Sequence, residues 1–86
     1  MIFINTVKLI IDAWDPIELF PYAPNDEYHS EIREIEQLLD SIKYKEELAD
    51  GIYSIFMESF GKHTFHKTKN ECAMIAQKIL DQFDTI

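Results

Sequence analysis

WDPIELFPYAPNDEY, residues 14–28, contains all three prolines and the single tryptophan of an 86-residue chain. The sequence on either side has the apolar spacing of amphipathic helices. A connection this long and this apolar is unfavourable in water, so the neighbouring helices must be arranged to cover it. The side chains that we expect to be covered are Trp14, Ile17, Leu19, Phe20 and Tyr22.

The length and composition are those of one small folded domain. Apolar residues make up 47% of the chain, which is too hydrophobic for a disordered protein. No run approaches the roughly 20 apolar residues that span a bilayer. Residues 1–11 have neither a basic n-region nor a small-residue cleavage site, so we expect no secretory signal there. One cysteine, Cys72, excludes an internal disulfide and is typical of a reducing cytoplasm, where we expect it to be a small buried hydrophobe. Residues 1–86 are therefore predicted to form a single cytoplasmic domain.

The charge is acidic and unevenly distributed. Sixteen acids and eight Lys or Arg residues give a net charge of −8, which repels nucleic-acid phosphates and anionic lipid surfaces. Residues 1–60 carry thirteen acids and four bases, whereas residues 61–86 carry three acids and four bases. Because nucleic acids and these lipid surfaces are anionic, we expect neither nucleic-acid nor membrane partners. The acidic surface either keeps a small protein soluble or binds a basic partner.

The first helix is predicted over residues 6–14. Asn5 is a suitable N-cap, and an apolar stripe follows at i, i+3, i+4 and i+7. That stripe consists of Val7, Ile10, Ile11 and Trp14.

A short helical turn is predicted directly after it. Asp15, Pro16 and Glu18 have the spacing of a capping box, with proline at the first helical position. This pattern predicts a helical turn at residues 16–20, which Pro21 should end because the residue before proline favours extended conformations.

The second and third helices are predicted over residues 26–41 and 45–60. Asn25 is a suitable N-cap for the second, whose stripe Tyr28, Ile32, Ile35, Leu39 and Ile42 lies opposite Glu31, Arg33, Glu34 and Glu36. In the third helix, Gly51 costs about 1 kcal/mol relative to alanine but allows close helix packing. Gly61 has the position of a C-terminal cap. The stripe of the third helix is Leu48, Ile52, Ile55, Phe56 and Phe60.

A basic loop leads to the last helix. Phe65 is the expected anchor of this loop in the core, and Thr68 with Glu71 forms a capping box. Apolar residues then recur on one helical face. They are Cys72, Ile75, Ala76, Ile79, Leu80 and Phe83, which completes an all-α, four-helix domain with a proline-rich apolar connection after helix one.

Three short motifs resemble those of a known family. WDPI at residues 14–17, Ala-Pro at residues 23–24 and DEY at residues 26–28 resemble a group of small uncharacterised bacterial proteins that includes the YugE-like family. Similar WDPI and DEY pairs occur in small proteins thought to act as toxin-immunity partners. The resemblance implies a domain of unknown function with similar size and helical order, and it implies no catalytic residue. A glycine is expected after WDPI in many relatives, where this chain has Glu18.

Acidic residues and a tyrosine lie close to two predicted helix starts. Asp15, Asp26, Glu27 and Tyr28 form this group, and paired carboxylates near a tyrosine can bind a cation or act in acid-base chemistry. Helix capping explains the same acids without any chemistry, and the spacing favours capping.

A second candidate site lies in the basic loop. His63 and His66 are three residues apart and precede Glu71 and Cys72, residue types that bind a borderline-soft metal such as zinc. Structural zinc sites usually contain paired ligands, so the spacing favours a solvated basic loop over a metal site.

Three large side chains lie outside the best stripe of helix three and the residues before it. Tyr44, Tyr53 and Met57 either form an exposed apolar patch that marks an interface or are covered by residues 14–24. If the patch is exposed, it faces either a second copy of the chain or another protein. We expect a homodimer formed through helices two and three, because two-fold pairing is the commonest closed assembly.

Taken together, these patterns predict a non-catalytic, acidic, protein-binding module without a cofactor. Glu31, Glu34 and Glu36 on helix two would face a basic partner, as in an immunity or inhibitor protein. The alternative is a metal-binding or metal-sensing protein that uses His63, His66 and Cys72.

Overall fold

A computed structural model describes the backbone of residues 2–20 and 27–84 and the side chains of residues 6–20 and 27–82. Across these ranges the chain is helical, without strands. The helices are α1 (Ile2–Trp14), α2 (His29–Leu39), α3 (Lys45–Phe60) and α4 (Lys69–Asp84). The predicted all-α, four-helix fold is therefore confirmed.

Each helix packs against two others, in the pairs α1–α2, α2–α3, α3–α4 and α4–α1. Trp14 at the end of α1 and Tyr28 before α2 both contact Phe56, in the C-terminal half of α3. The end of α1, the start of α2 and the end of α3 therefore lie at the same end of the domain. Trp14 also contacts Phe65, four residues before α4, so the start of α4 lies at this end as well. Successive helices therefore run antiparallel, as in an up-and-down bundle, and so do α1 and α4.

The core is built from the predicted stripes, together with the loop residue Phe65, which is 1% exposed. Burying these side chains removes apolar surface from water, which is the main term that stabilises a domain of this size. Residues farther along the stripes, such as Leu39, Ile42 and Ile55, are partly buried at the edge of the core. The largest fully buried side chains are Val7, Ile11, Tyr28, Ile35, Leu48, Ile52, Phe56, Phe65, Cys72 and Ile79.

Two predicted helix starts differ from the structure. Helix α1 begins at Ile2, so Asn5 lies inside it and the predicted N-cap is wrong. Helix α2 spans His29–Leu39 rather than residues 26–41, and its N-cap position is occupied by Tyr28, which makes no side-chain cap hydrogen bond. The predicted cap Asn25 lies outside the described residues.

Both helix caps predicted in the second half of the chain are confirmed. Gly61 has a φ of 77° and its N–H donates to the carbonyl of Met57 at 2.8 Å, which ends α3. The Thr68 N–H donates to Glu71 Oε1 at 3.2 Å, and the Glu71 N–H donates to Thr68 Oγ1 at 3.1 Å, which completes the capping box of α4. The sequence did not reveal a related cap on α3, where Glu47 Oε1 accepts from the N–H groups of Lys43 and Tyr44.

Gly51 of α3 packs against Leu38 near the end of α2. A Cβ atom at this position would overlap Leu38 Cδ1 and lie 3.6 Å from Leu38 Cγ. The close packing predicted for this glycine is therefore confirmed, and the side chain that occupies the space belongs to Leu38.

Candidate functional site

Helix α1 ends at a sharp corner. Asp15 has a left-handed φ of 47°, and its N–H donates to the carbonyl of Ile11 at 2.9 Å. Glu18, with a φ of 58°, donates its N–H to the Asp15 carbonyl at 2.9 Å and closes a turn around Pro16. Asp is one of the few residue types other than glycine that adopt this conformation routinely. Asp15 therefore ends α1 rather than starting a helix, and the predicted capping box and helical turn at residues 16–20 are wrong.

The Asp15 carboxylate binds the backbone of the corner and one side chain beyond it. Its Oδ1 accepts from the Leu19 N–H at 2.8 Å and from the Tyr28 hydroxyl at 2.6 Å, and its Oδ2 accepts from the Phe20 N–H at 3.1 Å. The Tyr28 oxygen in turn accepts from the Ile17 N–H at 3.3 Å. Three N–H groups outside any helix are satisfied in this way.

These hydrogen bonds fix the protonation states of the pair. Partial burial raises the pKa of Asp15, but donation from Tyr28, Leu19 and Phe20 outweighs it, so the pKa lies below its usual 3.8. Burial, followed by donation to Asp15, raises the pKa of Tyr28 far above 10.0. At neutral pH the pair is a carboxylate and a neutral phenol. General acid-base catalysis uses the opposite tuning, with pKa values moved toward neutral pH.

The ring of Tyr28 belongs to an aromatic cluster that supports the corner. Its centroid lies 5.5 Å from that of Phe20, 5.9 Å from Phe56 and 6.2 Å from Phe60, each edge to face. Such aromatic pairs contribute about 0.5–1.5 kcal/mol beyond the area that they bury. Trp14 is partly buried and contacts Phe56 edge to face at 5.7 Å.

The motifs WDPI and DEY are therefore joined by one hydrogen bond between their Asp15 and Tyr28 side chains. Sequence reasoning grouped these residues but favoured separate helix caps. Of the other acids in that group, Glu27 is exposed and Asp26 lies outside the described residues. The corner is a structural feature that holds α1 and α2 together.

The acidic surface lies mainly on α2 and α3. These two helices contain seven acids and two bases, whereas α1 and α4 contain four acids and three bases. The ion pairs among the described side chains are Lys8–Asp12 at 2.6 Å and Lys67–Glu71 at 4.0 Å, and neither uses an acid of α2 or α3. The exposed acids of α2 and α3 are Glu34, Glu46, Glu47, Asp50 and Glu58.

The three acids predicted on the solvated face of helix two have different environments. Glu34 is exposed and Glu36 is partly buried, but Glu31 is only 7% exposed, so its predicted place on the solvated face is wrong. Glu31 lies three residues after Tyr28 and four before Ile35, a spacing that places it on the buried side of the helix. Its Oε1 is buried without a hydrogen-bond partner.

The predicted patch of three large side chains is divided. Tyr44 is 66% exposed, whereas Tyr53 and Met57 are partly buried against the core. The Tyr53 ring contacts Phe65 at 5.9 Å, and Lys69 Nζ lies 5.4 Å from the centroid of the Tyr53 ring. Packing within the chain therefore accounts for two of the three residues.

Sequence reasoning missed two other exposed apolar side chains. Leu9 on α1 is 71% exposed, and Met74 on α4 is 63% exposed. Both lie off the core stripes, at positions where a helix usually has polar residues. An apolar residue at such a position is the sequence feature that could have indicated their exposure. The structure places them on neighbouring helices.

The residues of the alternative metal site differ in exposure. His63 and His66 are exposed, whereas Cys72 is fully buried and burial, followed by the charge of Glu71, raises its pKa to about 11. Cys72 is therefore a buried thiol, as predicted. Within residues 2–20 and 27–84, no group of three or more His, Cys, Asp or Glu side chains is arranged to hold a metal ion. Nor does any helix in these ranges have the length and apolarity of a membrane span.

The sequence profile of a domain of unknown function, DUF1871, matches residues 6–83. The match runs from the first half of α1 to the last turn of α4 and includes the Asp15–Tyr28 corner. No curated protein and no solved structure is significantly similar to the chain.

Proposed function

Because the chain belongs to the DUF1871 family, whose description assigns no activity, we propose a function from its surface: it is a non-catalytic domain that binds a basic protein through α2 and α3. The observation that carries this proposal is the set of exposed acids on these two neighbouring helices, which form no ion pair among the described side chains.

A surface of this kind favours a protein partner with clustered Lys and Arg residues. Charge complementarity speeds encounter and selects among partners, and its effect weakens with added salt. The acids are spread along two helices, with Glu34 on α2 and Asp50 and Glu58 on α3. Such a spread suits an extended basic surface better than a single cation.

The role that we propose is that of an inhibitor or immunity protein acting in the cytoplasm. The similarity of the WDPI and DEY pairs to those of small proteins thought to act as toxin-immunity partners supports this version. The Asp15–Tyr28 hydrogen bond and the contacts of the Tyr28 ring with Phe56 and Phe60 of α3 support it as well. They position α2 against α3 before binding, which lowers the entropic cost of association.

The experiment is affinity capture from a lysate of the source organism, with matched variants that each remove three negative charges. The test variant, E34Q/D50N/E58Q, changes exposed acids of α2 and α3. The control variant, E18Q/E27Q/D81N, changes exposed acids elsewhere. We expect the native protein and the control to retain a basic partner, which the test variant loses and which added salt releases.

Two results would refute the proposal. One is a partner that the test variant retains as well as the control does. The other is a partner whose capture is insensitive to salt, since binding through exposed charges is screened over about 8 Å at physiological ionic strength.

A further inference from the structure

Leu9 and Met74 extend into solvent from two helices that pack against each other. We infer that α1 and α4 together form a dimer face, on which Leu9 and Met74 pack against a second copy of this chain related by a two-fold axis.

The two side chains lie at matching depths in the bundle. Leu9 is five residues before the end of α1 at Trp14, and Met74 is five residues after the start of α4 at Lys69. Five residues of helix extend about 7.5 Å. Because α1 and α4 are antiparallel, the end of α1 lies beside the start of α4. Leu9 and Met74 are therefore at a similar height on neighbouring helices.

Each side chain is also directed away from the core of its own domain. On α1 the buried residues are Val7 and Ile11, and Leu9 lies between them in sequence, about 160–200° away around the helix axis. On α4 the buried residues flanking Met74 are Cys72 and Ile75, and Met74 lies about 100–160° from them. No rearrangement of the helices is needed to expose this face.

The charge distribution favours α1 and α4 as the face on which two copies meet. Two copies that each carry −8 repel one another most strongly where their acids are concentrated, on α2 and α3. Helices α1 and α4 have three bases and four acids, and Lys8 already pairs with Asp12 at 2.6 Å. The face with the least like-charge repulsion is therefore also the one with the exposed Leu9 and Met74.

This assignment replaces the dimer through helices two and three that the sequence had suggested. That arrangement depends on Tyr44, Tyr53 and Met57, of which only Tyr44 is largely exposed, while Tyr53 and Met57 are partly buried within the chain. It would also bring exposed acids such as Asp50 and Glu58 close to their counterparts in the second copy. The α1–α4 dimer instead leaves α2 and α3 free on both copies.

A two-fold axis places the same face on both partners, so each contact that Leu9 or Met74 makes across the interface occurs twice. The unbranched, flexible side chain of methionine adapts to the surface opposite it, which suits a contact between identical faces. The dimer does not depend on the proposed basic partner, because the two use different helices.

The first experiment is sedimentation velocity of the full chain over a range of concentrations, with three variants that each add one positive charge. L9K and M74K place the charge on the dimer face, and Y44K places it on an equally exposed apolar residue outside that face. We expect the native protein and Y44K to dimerise, and L9K and M74K to be monomeric at the same concentrations. All three variants reduce the net negative charge and therefore the repulsion between two copies. A loss of the dimer in L9K or M74K thus reports a disrupted contact at the substituted residue.

Salt provides an independent readout that separates this inference from the proposed function. Raising the NaCl concentration from about 50 to about 500 mM screens repulsion between acidic copies and should strengthen the dimer. The same change should weaken capture of a basic partner. A dimer that weakens with salt, or a native protein that is monomeric throughout, would overturn the inference.

Cross-linking covers the case in which a lysine variant fails to fold. L9C introduces an exposed thiol, whereas the native Cys72 is fully buried and its raised pKa keeps it protonated. Mild oxidation of L9C or M74C should give a covalent dimer at concentrations where Y44C stays monomeric. Equal cross-linking of all three variants would show random collision and would refute the assigned face.

Discussion

The hydroxyl of Tyr28 donates a 2.6 Å hydrogen bond to Asp15 Oδ1 and so joins the end of α1 to the residue before α2, thirteen positions later. The same carboxylate accepts from two backbone N–H groups. Asp15 thus ends α1 through its left-handed backbone. Its side chain accepts the N–H groups of the following turn and holds the residue before α2.

Removing only the tyrosine hydroxyl should destabilise the domain. Y28F keeps the ring contacts with Phe20, Phe56 and Phe60 but removes a donor to a charged acceptor. Hydrogen bonds to charged groups typically contribute about 1.5–3 kcal/mol. We expect Y28F to lower the unfolding free energy by an amount in this range, measured by urea unfolding with Trp14 fluorescence as the signal. Y44F is the control, because Tyr44 is exposed, and an unchanged midpoint in Y28F would contradict the role of the bond.

The Asp15 charge should make part of the stability depend on pH. Because the pKa of Asp15 is lowered in the folded state, this group contributes full stability above its usual pKa of 3.8 and loses that contribution as the pH falls toward the lowered value. D15N lacks this titration. We therefore expect native protein and D15N to differ most in unfolding free energy above about pH 5 and to converge below pH 3.8. A difference that stays constant down to pH 2 would exclude the proposed linkage.

The bundle could be predicted from the sequence because its signals are local. The stripe of α3, the Thr68–Glu71 capping box and the Gly61 cap each depend on residues within one or two turns. Local rules also explain the errors in the first half. Asn5 and Asp15 are both good N-caps by type, but the apolar residues before Asn5 extend α1, and the left-handed φ of Asp15 ends it.

The candidate surfaces could be predicted only in part. The acidic character of helix two is evident from the sequence. Glu31, however, is buried because its spacing from Tyr28 and Ile35 places it on their side of the helix, whereas Glu34 is exposed. The Asp15–Tyr28 bond depends on two helices that meet only in the folded domain, and no local pattern encodes that distance. Leu9 and Met74 were missed because each lies alone outside a stripe, and only the packing of α1 against α4 relates them.

Glycine at position 18 should stabilise the protein. Glu18 has a φ of 58° and an exposed side chain, and a left-handed conformation costs a residue other than glycine about 1–2 kcal/mol. Part of the gain is offset because glycine has more freedom in the unfolded chain. We expect E18G to raise the unfolding free energy by about 0.5–1 kcal/mol. The control is E34G, at an exposed site inside α2, which should lower the unfolding free energy by about 1 kcal/mol. A similar loss in E18G would show that the left-handed backbone at position 18 is not strained.

A double-mutant cycle should detect the close approach of α2 and α3 at Gly51. Alanine in a helix is favoured over glycine by about 1 kcal/mol, but the added methyl group overlaps Leu38 Cδ1. Overpacking typically costs about 1–3 kcal/mol, so we expect G51A to be neutral or destabilising in the native background. In the L38A background the overlap is removed, and the same substitution should stabilise by about 1 kcal/mol. The cycle would then give a coupling energy of about 1–3 kcal/mol between the two positions. Additive effects of G51A and L38A, measured by chemical denaturation, would show that Leu38 moves aside without cost and that the glycine is not required for packing.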